Sequence, residues 1–428
     1  MRLALNKKPF IAQSLALSVA ALMMTTTHAA TKEQQELAQL RAEVAELKAL
    51  MQQQQQVQQQ QAVQIQQVKT QPAPVKAESP LSSFKSKSGA DINLYGFVRG
   101  DANYIIEGAD DDFNKVSSSN GQTKDKLRAT AKTTRLGFDF NTNVAGDNKL
   151  GGKVEVDFAG STTDSNGALR IRHAYLTYNN WLFGQTTSNF LSNHAPEMID
   201  FATNVGGGTA ARIPQVRYGF NLSPATKLFI AAEEGNSNSG SSDAAIKYSV
   251  PNLTAKLTQG FADGKGSVSA RALVENYKSA NDSDTGWGLA AGVNYQVMDP
   301  LKLSADVSYV DGNSNYLYGS NSAYEVNTSN DKIAQNEAFG VQVGGTYKFN
   351  EKLRSTLAYG ALFADDGTDY ARINDAANEE VYQAWINFIY SPVKPLDLGV
   401  EYINGKRDTF AGNSYKDNRV GLMAKYSF

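Results

Sequence analysis

The 428-residue chain contains no cysteine. Disulfides, thiolate nucleophiles and Cys-ligated metals are therefore excluded. Histidine is nearly as scarce, with only His28, His173 and His194, so a His/Cys zinc site within one chain is excluded as well. No charge sign dominates: 41 Lys and Arg stand against 43 Asp and Glu, a net charge of −2. That balance excludes a globally basic nucleic-acid binder. Long apolar runs are missing too. Beyond the N-terminal segment, no stretch reaches the roughly 18 apolar residues that a membrane-spanning helix needs.

What is present begins at the N-terminus. Arg2, Lys7 and Lys8 precede an apolar stretch from Phe10 to Met24, and small residues follow at Thr27 and Ala29. This is the pattern of an export signal over residues 1–29, cleaved near Ala29 or Ala30, and it is short for a membrane anchor. Residues 30–70 are Gln-rich but carry heptads. Leu37, Val44, Met51, Gln58 and Ile65 fall at a, and Leu40, Leu47, Gln54, Gln61 and Val68 fall at d. Glu36 and Glu43 at g, with Arg41 and Lys48 at the following e positions, suit parallel helices from different chains. The expectation is a periplasmic coiled coil with Leu37, Leu40, Val44, Leu47, Met51, Ile65 and Val68 in its core. The competing reading is a helix that frays after Met51. Pro72, Pro74 and Pro80 mark 71–90 as a linker.

From Asp91 the period becomes two. Ile92, Leu94, Val98 and Ala102 alternate with Asn93, Arg99 and Asp101; Leu136, Phe138 and Phe140 alternate with Arg135 and Asp139. The same alternation recurs through Trp287–Tyr295, Leu301–Tyr309 and Tyr382–Tyr390, in runs of about ten residues, the length of a tilted transmembrane strand. Thirty-five glycines, 20 tyrosines and 19 phenylalanines beside a mean hydropathy of −0.41 fit such a barrel. Tight connections (Asn179-Asn180, Met298 to Pro300, Asn350-Glu351, Pro392 to Pro395) alternate with long polar ones (Ile105–Arg128, Gly312–Asn336, Ala364–Asn378, Asp408–Asn418). Both barrel ends on one side of the membrane require an even strand number. Of seventeen candidates, Asp243–Val250 is the weakest and is assigned to a loop. The fold class is all-β: a 16-stranded antiparallel transmembrane barrel over 91–428 with eight long loops, wide enough for a channel. Its final strand ends on Phe428.

The segment Thr186–Ala211 follows the fifth strand and holds Phe190, His194, Glu197, Asp200 and Gly206 to Gly208. Alternation places Arg99, Arg135, Lys153, Arg170, Arg172, Arg217, Arg271 and Arg354 toward the lumen, with Asp101, Asp139, Glu155, Asp157, Glu233 and Glu401. Such a set of guanidinium groups would concentrate small anions. The same alternation puts His173 on the lipid side. No cofactor and no metal are expected, and the acidic runs Asp110–Asp112 and Asp365–Asp369 read as solvated loop charge rather than calcium ligands.

The stretches LYGFVRGD, TRLGFDF, RHAYLTYNNWLFGQ and VRYGFNLSP resemble trimeric Gram-negative porins, and the Gln-rich coil ahead of them resembles the DcaP-like porins of Acinetobacter and relatives. The resemblance implies an outer-membrane homotrimer among lipid and lipopolysaccharide, handled by the barrel assembly machinery through its Phe428 strand. It also implies an inward-folded constriction loop after strand five, with Glu197 and Asp200 as constriction carboxylates. Passive diffusion of small anions, such as dicarboxylates and some anionic β-lactamase inhibitors, would follow. Three other readings compete: a general diffusion porin, an envelope tether acting through the coil, and a barrel enzyme, for which the two mature-chain histidines offer little.

Overall fold

The computed structural model describes residues 83–160, 167–208, 211–235, 246–313, 316–327 and 332–428. The expected signal segment and coiled coil lie outside the described residues. No described helix is long and apolar enough to cross a membrane; the crossing elements are strands.

Among the described residues there are twenty strands: β1 (Ser83–Lys85), β2 (Asp91–Gly108), β3 (Thr123–Thr130), β4 (Arg135–Val144), β5 (Asn148–Asp157), β6 (Arg170–Tyr178), β7 (Trp181–Thr187), β8 (Arg212–Asn221), β9 (Thr226–Glu233), β10 (Asn252–Phe261), β11 (Gly266–Lys278), β12 (Ser283–Met298), β13 (Leu301–Asp311), β14 (Tyr324–Asn327), β15 (Lys332–Gln335), β16 (Glu337–Lys348), β17 (Leu353–Ala364), β18 (Asn378–Val393), β19 (Leu396–Thr409) and β20 (Ser414–Ser427). A short helix, α1, spans Asp369–Ile373. β14 and β15 form a separate hairpin, and β1 is a three-residue addition to the foot of β2. β3 and β4 pair with the upper and lower parts of β2, so they are one broken wall strand. The wall therefore has sixteen antiparallel strands. It closes where β20 pairs with β2, from Phe97↔Ser427 to Glu107↔Asn418. The backbone N–H of Phe428 completes that seam on the Gly96 carbonyl at 3.0 Å.

The alternation has a physical cause: one face must be apolar against lipid while the other meets the lumen. Leu94, Leu136, Leu289, Val293, Leu303, Val307, Ile386 and Phe388 all face outward and are exposed on the isolated chain, whereas Arg99, Asp101, Glu155, Arg271 and Glu401 are buried inside the wall. Turns at one rim are tight. At Asn179-Asn180, Asn179 sits at φ +52°, a region asparagine tolerates, and its side-chain oxygen accepts the Lys149 N–H at 2.9 Å.

Several boundaries differ from the sequence reading. Residues 83–85 of the expected linker join the sheet, because their backbone completes hydrogen bonds with Asp91–Asn93. β2 runs to Gly108 and β3 starts at Thr123, so the first long loop is 109–122. Ladder pairing likewise carries β18 through Pro392 to Val393. At the other rim, the connections 279–282 and 410–413 are short, so the eight connections there are not all long. The described part of Asp243–Val250 is loop, holding only an isolated bridge from Lys247 to Lys278.

The principal core is inside the barrel. Loops 109–122 and 188–211 and the first part of 312–336 fold against the wall. Val116, Phe190, Val205, Tyr316 and Leu317 from these loops pack on Ile213, Leu273, Val310, Leu362 and Val381.

Candidate functional site

The loop 188–211 leaves the fifth wall strand, β7, and crosses the lumen along the β9–β20 side. Glycine permits the close approach. Gly206 adopts φ +74°, and a Cβ there would lie 2.4 Å from the carbonyl oxygens of Ala361 and Val341. A Cβ on wall residue Gly360 would lie 2.1 Å from the Val205 carbonyl oxygen. Neither position accepts a side chain without displacing backbone.

Charged and amide groups then fasten the loop along its length. Glu401 accepts the backbone N–H groups of Ile199 and Asp200, each at 2.9 Å. Arg99 pairs with Asp101 at 2.6 Å, donates to the Ile199 carbonyl at 2.6 Å and lies over the Phe201 ring. Arg271 pairs with Asp306 at 2.7 Å and donates to the Phe190 carbonyl. Lys256 donates to the Leu191 carbonyl. Arg354 grips Glu197 through Nε and Nη2 at 2.8–3.0 Å, while Trp385 and Asn387 donate to the Glu197 carbonyl.

The loop residues named from sequence have different exposures. Phe190, His194 and Asp200 are buried against the wall, whereas Glu197 keeps a partly exposed side chain. His194 contacts Ser267 and Ser269, and burial pushes its imidazole down to about 4, so it is neutral near pH 7. Burial pushes the Asp200 carboxyl up to about 6, against the opposing pull of Arg419 and the Asn114 and Ala202 N–H groups. Two of the eight expected lumen cations are also closed off from solvent. The side chains of Arg99 and Arg271 are 4% and 0% exposed, because each is spent on a carboxylate and a loop carbonyl. Neither can meet a passing solute.

The opposite side of the lumen, β4 to β8, carries the accessible charge. Arg170 pairs with Asp157 through two bonds of 2.7–2.8 Å, and Arg172 bridges Glu155 and Asp157 at 2.8 and 2.7 Å. Arg135 lies 3.3 Å from Glu155 and stacks over Phe97. Lys153 lies over the Tyr95 ring, and Tyr95 donates to Glu155. Arg217 donates to Gln215 and to the Thr187 carbonyl, with no carboxylate partner among the described residues.

Two features of this wall escaped the sequence reading. A β-bulge shifts the register between β5 and β6, pairing Glu155 with His173 but Val156 with Ile171. The extra residue turns Arg172 and His173 to the same side. His173 therefore lies 3.9 Å from Glu155, inside the barrel rather than on the lipid face. The second is Arg212, the first residue of β8. Counting by twos from Arg217 would turn it outward, yet it lies among the charges of Arg172, Arg170 and Arg135. Its buried Nε has no hydrogen-bond partner among the described residues. Arg135, Lys153, Arg170, Arg172, Arg212 and Arg217 thus share a wall with only Asp139, Glu155 and Asp157. Chemically, this is a lumen wall with surplus positive charge and, among the described residues, no reacting constellation.

A solved structure described as the outer membrane channel DcaP of Acinetobacter baumannii is similar at 72% identity and TM-score 0.78, covering 81% of this chain and 100% of that one. Distant relatives share the fold alone. The anion-selective porin from Comamonas acidovorans matches at 12% identity and TM-score 0.55, covering 79% of this chain and 100% of that one. OmpT of Vibrio cholerae, in a trimer form, matches at 14% identity and TM-score 0.50, covering 79% of this chain and 99% of that one. No match occurs among curated proteins. The family described as DcaP outer membrane protein matches residues 23–428. With its closed sixteen-strand wall and its lumen crossed by a tethered loop, the chain belongs to the DcaP outer membrane protein family, a family of non-enzymatic porin channels.

Proposed function

We propose that this channel passes small negatively charged solutes, dicarboxylates foremost, by passive diffusion. One observation carries the reading: six cationic side chains face three carboxylates on the β4–β8 wall, and Arg212 has no counter-charge bonded to it. An aqueous wall with surplus fixed cations concentrates anions and repels cations. Arg135, Lys153, Arg170, Arg172, Arg212, Arg217 and the partly exposed Arg354 are the groups a solute would meet, with Glu197 opposing them from the loop. Anionic β-lactamase inhibitors belong to the same charge class. The test is planar-bilayer reversal potential under a salt gradient, joined to liposome swelling. Swelling should be faster in dicarboxylates than in cations of similar size. Equal rates would leave a general diffusion porin, and cation preference would refute the reading.

The outer-membrane homotrimer, the periplasmic coil over 30–70, and contacts with lipopolysaccharide and the assembly machinery complete the proposal. The trimer form of OmpT and the heptads from Leu37 to Val68 support it. Deleting 31–71 distinguishes two roles for the coil. Weakened trimers with unchanged conductance would support assembly. Intact trimers with a detached envelope would support tethering instead.

A further inference from the structure

At the long-loop end of β9 to β11 lies a buried polar cluster that channel function does not use. Glu233 and Glu275 are 0% and 1% exposed, and no Lys or Arg forms an ion pair with either among the described residues. Glu233 is the better satisfied, accepting bonds that include the Asn189 N–H at 3.1 Å and the Tyr316 hydroxyl at 2.9 Å. Glu275 is not. Its Oε2 accepts the Asn252 amide at 2.9 Å, but its Oε1 has no partner among the described residues. Asn252 and Asn313 are both fully buried, and both abut the Glu275 carboxyl. The Oδ1 atoms of both also lack partners, as does that of Asn189, and so does the Asn313 Nδ2. Burying unbonded oxygens and uncompensated carboxylates is costly. A hard divalent cation gives the unbonded oxygens a partner and the carboxylates a counter-charge, because it binds carboxylate, amide and hydroxyl oxygens.

We propose that Glu275, Asn252 and Asn313, with Glu233 and Tyr316 beside them, form a calcium site that fastens two inward loops to the barrel wall. Asn313 and Tyr316 come from the 312–336 loop, Asn189 from the 188–211 loop, and the remaining residues from β9, β10 and β11. No described group of three or more His, Cys, Asp or Glu could hold a metal; this cluster makes up its oxygen number with amides. Calcium suits it better than magnesium, which demands near-octahedral geometry and keeps several waters.

The test uses the full-length protein in detergent, stripped with chelator and titrated with CaCl2, with MgCl2 in parallel. The expected result is saturable binding of about one calcium per chain by elemental analysis, with Tm rising as free calcium rises. Glu275→Gln and Asn313→Ala should each abolish both. Asn313→Ala lies in a loop, so it remains informative should Glu275→Gln fail to fold. No binding at millimolar calcium, or equal binding by wild type and Asn313→Ala, would overturn the proposal. So would a higher Tm of Glu275→Gln without calcium dependence, since that marks Glu275 as a neutral acid.

Discussion

Alternation turns Arg271 toward the lumen and Arg212 away from it, and the structure reverses their consequences. Replacing Arg212 by Gln leaves five cations on the β4–β8 wall and breaks no ion pair among the described residues. Two unit charges 4 Å apart in water interact by about 1 kcal/mol. That corresponds to about a fivefold change in the local concentration of a monoanion, and about thirtyfold for a dianion. The Debye length of about 10 Å at 0.1 M salt preserves most of this at contact range. Arg212→Gln should therefore lower the anion-to-cation permeability ratio severalfold, most visibly with a dicarboxylate, and leave Tm nearly unchanged. Arg271→Gln should do the reverse. Its partner Asp306 is 0% exposed at the side chain and would keep only hydroxyl donors from Ser192 and Ser308. Breaking a buried pair from one side costs about 3–5 kcal/mol. Tm should fall while folded channels keep wild-type selectivity. Reversal potentials in planar bilayers and thermal unfolding of the same preparations measure both effects. A wild-type reversal potential in Arg212→Gln, together with a shifted one in folded Arg271→Gln channels, would refute the division into accessible and structural arginines.

Phe190→Ala should loosen the lumen loop. The ring is 0% exposed and meets Tyr316 edge-on at 5.9 Å, so its truncation should cost about 3–5 kcal/mol. Lower Tm and added current noise are expected; an unchanged Tm would show that this contact does not hold the loop. Asp200 has a raised folded pKa of about 6 against 3.8. Its contribution to stability is fully present below about 3.8 and is lost as pH rises through 6. Relative to wild type, Asp200→Asn should therefore gain stability at pH 7.5 compared with pH 4, by an amount on the order of 2–3 kcal/mol. Parallel Tm–pH profiles would contradict this. His194, held near 4 by burial, should give no conductance step between pH 5 and 8.

Much of the barrel was legible in the chain itself. A strand between lipid and water must alternate, so the period-two runs from Asp91 onward assigned most side chains to a face, and membrane geometry required an even strand count. The weak segment Asp243–Val250 could be set aside on that ground alone. Alternation fails at the bulge of Arg172–His173, which turned a histidine inward. Arg212 pairs in regular register with Thr187 at the end of its ladder, yet lies among the charges of Arg172, Arg170 and Arg135. Neither exception leaves a mark in the local pattern.

The chain by itself therefore determined the facing of most wall residues, because that choice depends on immediate neighbours in one strand. Only the tertiary structure decided which of them meet solute. Arg99 is spent on a carbonyl 100 residues away, and Glu401 on N–H groups about 200 residues away. Such pairings exist only once the barrel has closed and the loop 188–211 lies across its interior. Burial then converts some arginines into fasteners and leaves others, on the uncovered wall, as free charge.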